Sequence, residues 1–291
     1  MAATIREPRV DESITLRDGR ALAYAEWGDQ AGRPVVLFHG GGNSRLLCPD
    51  VAATRMAGVR LITIDRPGYG RSDPRSDFTL LDWVDDYAEF GELVGLPPCP
   101  IVAWSNGGPY ALACAARIPD RVPAIGLAAS PAPLDEVPST WPQRSPEVRD
   151  LIKRLRKDRA STVEDVTRRF AWRATDPVRR PKDLPRDHPD NAVFEDPAIL
   201  ATFSRGQWEG ARQGVTGYVD DWIASAMPWG FSVAAIGCQA HIWWGDKDMI
   251  TFRAEVDYLA RTIARSILTI YPGEGHGILF THWAEMLAEM R

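Results

Sequence analysis

The chain has 291 residues, 45% of them hydrophobic and 25% charged, and a formal net charge of -5. That length suits one large α/β domain with room for an inserted segment, and the acidic balance argues against nucleic acid as a partner. The locally basic run from Lys153 to Arg159 reads as the solvated face of a helix. No apolar run approaches the length of a bilayer span, and the first eight residues hold no apolar signal-peptide core, so a cytoplasmic protein without a membrane partner is expected. Cys48, Cys99, Cys114 and Cys238 are scattered, with no Cys-x-x-Cys spacing, so neither a metal site nor a disulfide framework is expected.

Residues 13–27 read as two short strands around the Asp18-Gly19 turn. Pro34-Val35-Val36-Leu37-Phe38 is an unbroken apolar run, as in a strand buried on both faces of a parallel sheet. It ends in His39-Gly40-Gly41-Gly42. A helix is expected over 46–57, and a strand at Arg60–Ile64 that leads into Asp65-Arg66-Pro67-Gly68-Tyr69-Gly70-Arg71-Ser72. Residues 79–94 carry an amphipathic stripe of Leu80, Trp83, Val84, Tyr87, Leu93 and Val94. Ile101–Trp104 and Pro123–Ala129 supply two more strands, separated by the helix-forming run after Pro109. The alternation predicts a doubly wound, mostly parallel sheet.

The character changes near residue 133. Proline-rich sequence gives way to helix starts at Ser145-Pro146 and Asp196-Pro197, and Ser161-Thr162-Val163-Glu164 reads as a capping box. Residues 175–191 read as loop and 197–226 as helix. No buried-strand pattern occurs here. A helical lid over 133–226, inserted after the sixth strand, is therefore expected, with 1–132 and 227–291 forming the core. The sheet resumes at Ala240–Trp244, followed by Gly245-Asp246-Lys247-Asp248, a helix over 252–263, a strand over 266–271, Gly273-Glu274-Gly275-His276-Gly277 and a last helix.

The chemistry centres on Ala103-Trp104-Ser105-Asn106-Gly107-Gly108. A strand that turns into a helix around a serine needs small residues two before and two after it, and Ala103 and Gly107 meet that need. A serine hydroxyl requires a base, and the base requires a group that fixes its tautomer. Of the five histidines, His276 alone lies in a glycine-flanked loop just after a strand, at the edge where ligands collect in open α/β sheets. Asp246 and Asp248 both follow a strand. Asp248 lies further into its loop and is preferred, with Asp246 shaping the turn. Gly41 and Asn106 can offer backbone N–H groups to a developing oxyanion. His39, Gly40, Gly42, Trp104, Trp208 and Trp222 are candidates for the substrate pocket.

Over nearly its whole length the chain resembles the α/β-hydrolase fold superfamily. The passages that carry the resemblance are His39–Gly42, Asp65–Ser72, and Gly245–Asp248 paired with Gly273–His276. The resemblance implies Ser105 as nucleophile, Asp248 as acid and His276 as base. Serine at the nucleophile position separates the chain from haloalkane dehalogenases and epoxide hydrolases, which use aspartate there. The Gly-Asp-Ser-Ala-Gly elbow of hormone-sensitive-lipase-type esterases and the Gly-Gly-Ser-Trp-Gly elbow of proline iminopeptidases are both absent. The expected activity is hydrolysis of an ester, thioester or lactone of a small, largely apolar molecule through an acyl-enzyme, without metal or organic cofactor. The same residues can serve a C–C hydrolase, lyase or cyclase, and the scaffold can also serve as a non-catalytic ligand receptor.

Overall fold

The computed structural model describes residues 7–178 and 184–291. Eight strands form one sheet: β1 (Val10–Thr15), β2 (Ala21–Gly28), β3 (Arg33–Phe38), β4 (Val59–Ile64), β5 (Ile101–Trp104), β6 (Ala124–Ala128), β7 (Gln239–Gly245) and β8 (Ser266–Tyr271). Their order is β1-β2-β4-β3-β5-β6-β7-β8. β2 runs antiparallel to β1 and β4, and every later pairing is parallel. The doubly wound, mostly parallel sheet expected from the alternating pattern is the observed fold.

The parallel strands are apolar throughout because both faces are covered, and strand periodicity divides their side chains between two cores. Val36, Phe38, Ile62, Ile64, Ile101 and Ala103 pack on one face. Val35, Leu37, Leu61, Val102 and Trp104 pack on the other. Helices α1 (Val51–Met56), α2 (Leu80–Leu93) and α3 (Gly108–Arg117) connect the first strands. α2 begins in a capping box, with Thr79 accepting from the Asp82 N–H and the Asp82 carboxylate accepting from the Thr79 N–H. The helix expected over 46–57 is shorter, because the Asp50 carboxylate caps it by accepting from the Ala52 and Ala53 N–H groups.

Between β6 and β7 the described residues form helices and turns and no strand: α4 (Pro146–Lys157), α5 (Arg159–Phe170), α6 (Pro189–Glu195), α7 (Pro197–Gly210) and α8 (Thr216–Ala226). α4, α5 and α8 enclose a third apolar cluster that includes Leu151, Leu155, Val166, Val219 and Ile223. Three expectations change here. α5 starts before Ser161, because Asp158 ends α4 and caps α5, its carboxylate accepting from the Ser161 N–H at 3.1 Å. Part of the loop expected over 175–191 is helical from Pro189, and residues 179–183 lie outside the described residues. The helix expected over 197–226 is two helices with a turn at 211–215. After β7 come α9 (Arg253–Thr262), α10 (Ile278–Thr281) and α11 (Trp283–Glu289), the last two broken at His282. No helix among the described residues is long and apolar enough to cross a membrane.

Candidate active site

Ser105 directly follows β5 in a left-handed backbone conformation, φ +51°. A non-glycine residue held there costs on the order of 1–3 kcal/mol, which the surrounding packing must sustain. The sustaining contacts are close. A Cβ on Gly107 would stand 2.4 Å from the Phe38 carbonyl oxygen, and one on Gly108 would stand 2.3 Å from Ser130 Oγ. These distances explain the two glycines that follow the serine: the start of α3 presses against β3 and against the end of β6.

His276 follows β8 and Asp248 follows β7, so both reach the same sheet edge as Ser105. His276 Nδ1 lies 2.8 Å from Asp248 Oδ2. A carboxylate only accepts, so Nδ1 carries the proton. Asp248 Oδ1 accepts from the Ile250 and Thr251 N–H groups at 2.8 and 3.1 Å, which fixes the carboxylate within its loop. Burial disfavours the His276 imidazolium, but the Asp248 carboxylate and, more weakly, Asp190 outweigh it, and the His276 pKa is raised above its ordinary value. His276 and Ser105 both face the cavity described below. Asp246 does something else: its carboxylate accepts from the Gly273 N–H at 2.7 Å and shapes the turn.

Trp104 braces His276. Its Nε1 donates to the His276 carbonyl oxygen at 3.0 Å, and its ring lies 5.5 Å from the imidazole. The same ring explains Gly40, where a Cβ would come within 2.8 Å of Trp104 Cε3.

The loop Asp65–Ser72 shapes the neighbouring glycine loop from beneath. Asp65 accepts from the Arg45 and Arg71 N–H groups at 2.6 and 3.0 Å. Arg66 donates to the His39 carbonyl oxygen at 2.8 Å, and Tyr69 Oη accepts from the Gly42 N–H at 3.1 Å. With Gly42 committed, the Gly41 N–H is left without a partner among the described residues.

The helical segment closes the site with three buried or half-buried polar contacts that no sequence pattern announced. Asp221 of α8 accepts from Arg66 Nε and Nη2 and from the hydroxyls of Tyr69 and Tyr110, the latter two both at 2.8 Å. Asp190 of α6 accepts from the N–H groups of His276 and Gly277 at 3.0 and 2.8 Å. Ser225 Oγ donates to Asn106 Oδ1 at 2.6 Å, tying α8 to the residue after the serine. Local sequence around these residues shows only helix chemistry: Pro189 opens α6, and Asp221 and Ser225 lie within α8. Their partners lie 86, 155 and 119 positions away.

A cavity of about 380 Å³ lies between sheet edge and helical segment, lined by Ser105, His276, Gly40, Gly41, Trp104 and Asn106 on one side. Phe203, Tyr218, Trp222, Ser225 and Trp229 line the other side. Gly40, Trp104 and Trp222 thus stand where the pocket expectation put them. His39, Gly42 and Trp208 do not line the cavity. His39 is 1% exposed, packed edge-on against Tyr69. Burial, and then the Arg66 charge, lower its pKa, so it is neutral, with Nδ1 donating to the Gly40 carbonyl oxygen at 2.9 Å. Gly42 turns toward Tyr69. Trp208 is 55% exposed, because Phe203 and Gln207 take the inward positions of α7 and a Cβ on Gly206 or Gly210 would collide with Asn43. Among the described residues no group of three or more histidine, cysteine or acidic side chains is placed to hold a metal ion. All four cysteines are free.

A family described as alpha/beta hydrolase fold matches residues 33–282. The chain is 26% identical over 274 residues to a bifunctional esterase/perhydrolase DCH of Acinetobacter calcoaceticus, covering 91% of this chain and 92% of that one. It is 32% identical over 137 residues to a pimeloyl-[acyl-carrier protein] methyl ester esterase of Photorhabdus laumondii, a match that spans 47% of this chain and only 51% of the relative. Among solved structures, an enol-lactonase from Burkholderia xenovorans superposes with a TM-score of 0.65 at 17% identity, covering 96% of this chain and 99% of that one.

Proposed function

The chain belongs to the α/β-hydrolase fold family, and from that premise we propose that it is a serine hydrolase with Ser105, His276 and Asp248 as its reacting set. The proposed substrate is an ester, thioester or lactone of a small, largely apolar molecule. One observation carries the reading. A serine in a strained turn and a histidine hydrogen-bonded to a buried carboxylate line one cavity. Two relatives matched by sequence, an esterase/perhydrolase and a methyl ester esterase, support hydrolysis as the activity.

In the proposed mechanism Ser105 Oγ attacks the substrate carbonyl carbon while His276 Nε2 takes the hydroxyl proton. Asp248 holds the imidazole by Nδ1 and stabilises its charge. The oxyanion accepts from the Gly41 and Asn106 N–H groups, each donor worth roughly 10²–10³ in rate. Collapse breaks the acyl bond, and His276 returns the proton to the departing alcohol or thiol. Water then attacks the acyl-enzyme, His276 takes its proton, and the acid leaves with Ser105 restored. The helical segment is a lid that supplies the apolar wall and excludes water.

A fluorophosphonate probe tests this reading. The expected result is labelling of Ser105 in the wild type, with none in S105A. A folded protein left unlabelled contradicts the mechanism. An S105A protein that keeps its turnover points instead to acid-base chemistry at His276.

A further inference from the structure

Three charged side chains line the cavity, and they are not equivalent. Arg144 pairs with Glu255 at 3.1 Å. Asp190 is committed to the His276 and Gly277 N–H groups. Arg173, in the short turn Ala171–Ala174 after α5, pairs with no carboxylate among the described residues. Its guanidinium stacks 3.9 Å from the centre of the Tyr218 ring and 4.8 Å from that of Trp172. Its one hydrogen bond runs from Nη1 to Gln207 Oε1 at 3.3 Å, and its Nε is buried without a partner among the described residues.

Its place relative to the proposed oxyanion site is fixed by two close approaches. A Cβ on Gly42 would stand 2.5 Å from Arg173 Nη1, and one on Gly41 would stand 3.2 Å from Tyr218 Cε2. Arg173, Tyr218 and the glycine loop are therefore contiguous.

We propose that Arg173 is a specificity-determining residue that binds a carboxylate carried by the substrate, so that the enzyme prefers half-esters or lactone acids to their neutral counterparts. The proposal rests on the hydrolase reading for the position of the reacting carbonyl. A planar guanidinium pre-stacked on an aromatic ring has donors in a fixed fork that matches a carboxylate. In a cavity otherwise lined largely by aromatic and aliphatic groups, an uncompensated cation is attracted far more strongly to an anion than it would be in water. One unpaired guanidinium suits one negative charge. A phosphate monoester, with nearly two charges, would leave one unmet.

The test uses matched pairs, monomethyl and dimethyl esters of the straight-chain diacids from succinate to suberate. The proposal predicts that wild-type kcat/KM for the best half-ester exceeds that for its diester by about tenfold or more, since a charged hydrogen-bonded contact contributes at least that factor. In R173Q the ratio falls toward one, and in R173K it is intermediate, because lysine keeps the charge without the fork. Binding of the same pairs to S105A and to S105A with R173Q, followed by calorimetry, gives the same ratio without turnover. Equal wild-type use of half-ester and diester at every chain length overturns the proposal. So does an R173Q protein that loses both substrates in equal proportion, which would make Arg173 a prop for Tyr218. Failure of the hydrolase reading would look different: Ser105 would not label with fluorophosphonate, while the calorimetric preference for half-esters would stand or fall independently.

Discussion

The sheet edge and the helical segment face each other across one cavity, and they are built on different principles. At the sheet edge the candidate groups are held mostly by contacts close in sequence or by neighbouring strand ends, with His276 braced in addition from Trp104 and from Asp190 of the helical segment. Ser105 is held by the glycines that follow it, and Asp248 by the N–H groups of Ile250 and Thr251. Across the cavity the helical segment reaches the core through apolar packing and through long-range polar contacts, among them Asp221 to Arg66, Asp190 to the His276 loop, Ser225 to Asn106 and Glu209 to Arg45. Local construction makes geometry insensitive to what happens elsewhere. Long-range construction makes the wall depend on contacts with distant parts of the chain, so changes in the two regions should register in different measurements.

The largest effect belongs to the sheet edge. D248N is expected to lower kcat on an ester such as p-nitrophenyl butyrate by about 10⁴-fold, because the amide favours the wrong imidazole tautomer. D246N, at a carboxylate that meets the Gly273 N–H and the exposed Lys247 ammonium, should stay within a few-fold. A reversal would move the acid to Asp246 and break the comparison at its first step.

Stability is where the helical segment should answer. Asp221 is 1% exposed, and its carboxylate meets a fully buried guanidinium and two buried hydroxyls. D221N leaves the Arg66 charge without its counter-charge, and the cost of breaking such a buried pair is about 3–5 kcal/mol in denaturant unfolding. A loss below roughly 1 kcal/mol would mean that α8 is held by its apolar face alone.

Smaller effects sharpen the comparison. S225A removes one hydroxyl donor from Asn106 and should change kcat/KM by only about two- to tenfold, the range of a single neutral hydrogen bond. D190N addresses the pH profile. The raised His276 pKa means that the neutral base is lost, as pH falls, at a higher pH than for an ordinary histidine. Removing the Asp190 carboxylate withdraws one group that favours the imidazolium, so the acid limb of kcat/KM should move to lower pH. An unmoved limb with reduced activity would make Asp190 a backbone clamp only.

The same contrast explains what the sequence could disclose. Buried parallel strands read as apolar runs because two covered faces leave no polar position, as at Val35–Phe38 and Ile101–Trp104. The strand-end positions that bring Ser105, His276 and Asp248 to one sheet edge were legible from their glycine flanks and the strands before them. Asp190, Asp221 and Arg173 were not. Each sits in helical or turn sequence whose local pattern speaks only of capping or solvated charge. Trp208 misled for a related reason: hydrophobicity alone does not say which side of α7 faces in, and the glycines that decide it, Gly206 and Gly210, do so by touching Asn43 more than 160 positions away.

The claim that the sheet edge carries the chemistry is tested most directly by rapid-quench mass spectrometry after mixing with p-nitrophenyl acetate. An acetyl increment on the peptide that holds Ser105, formed faster than turnover and absent from S105A, is the predicted result. An increment on another residue, or acetate released with no covalent intermediate while Ser105 is unmodified, would contradict the account.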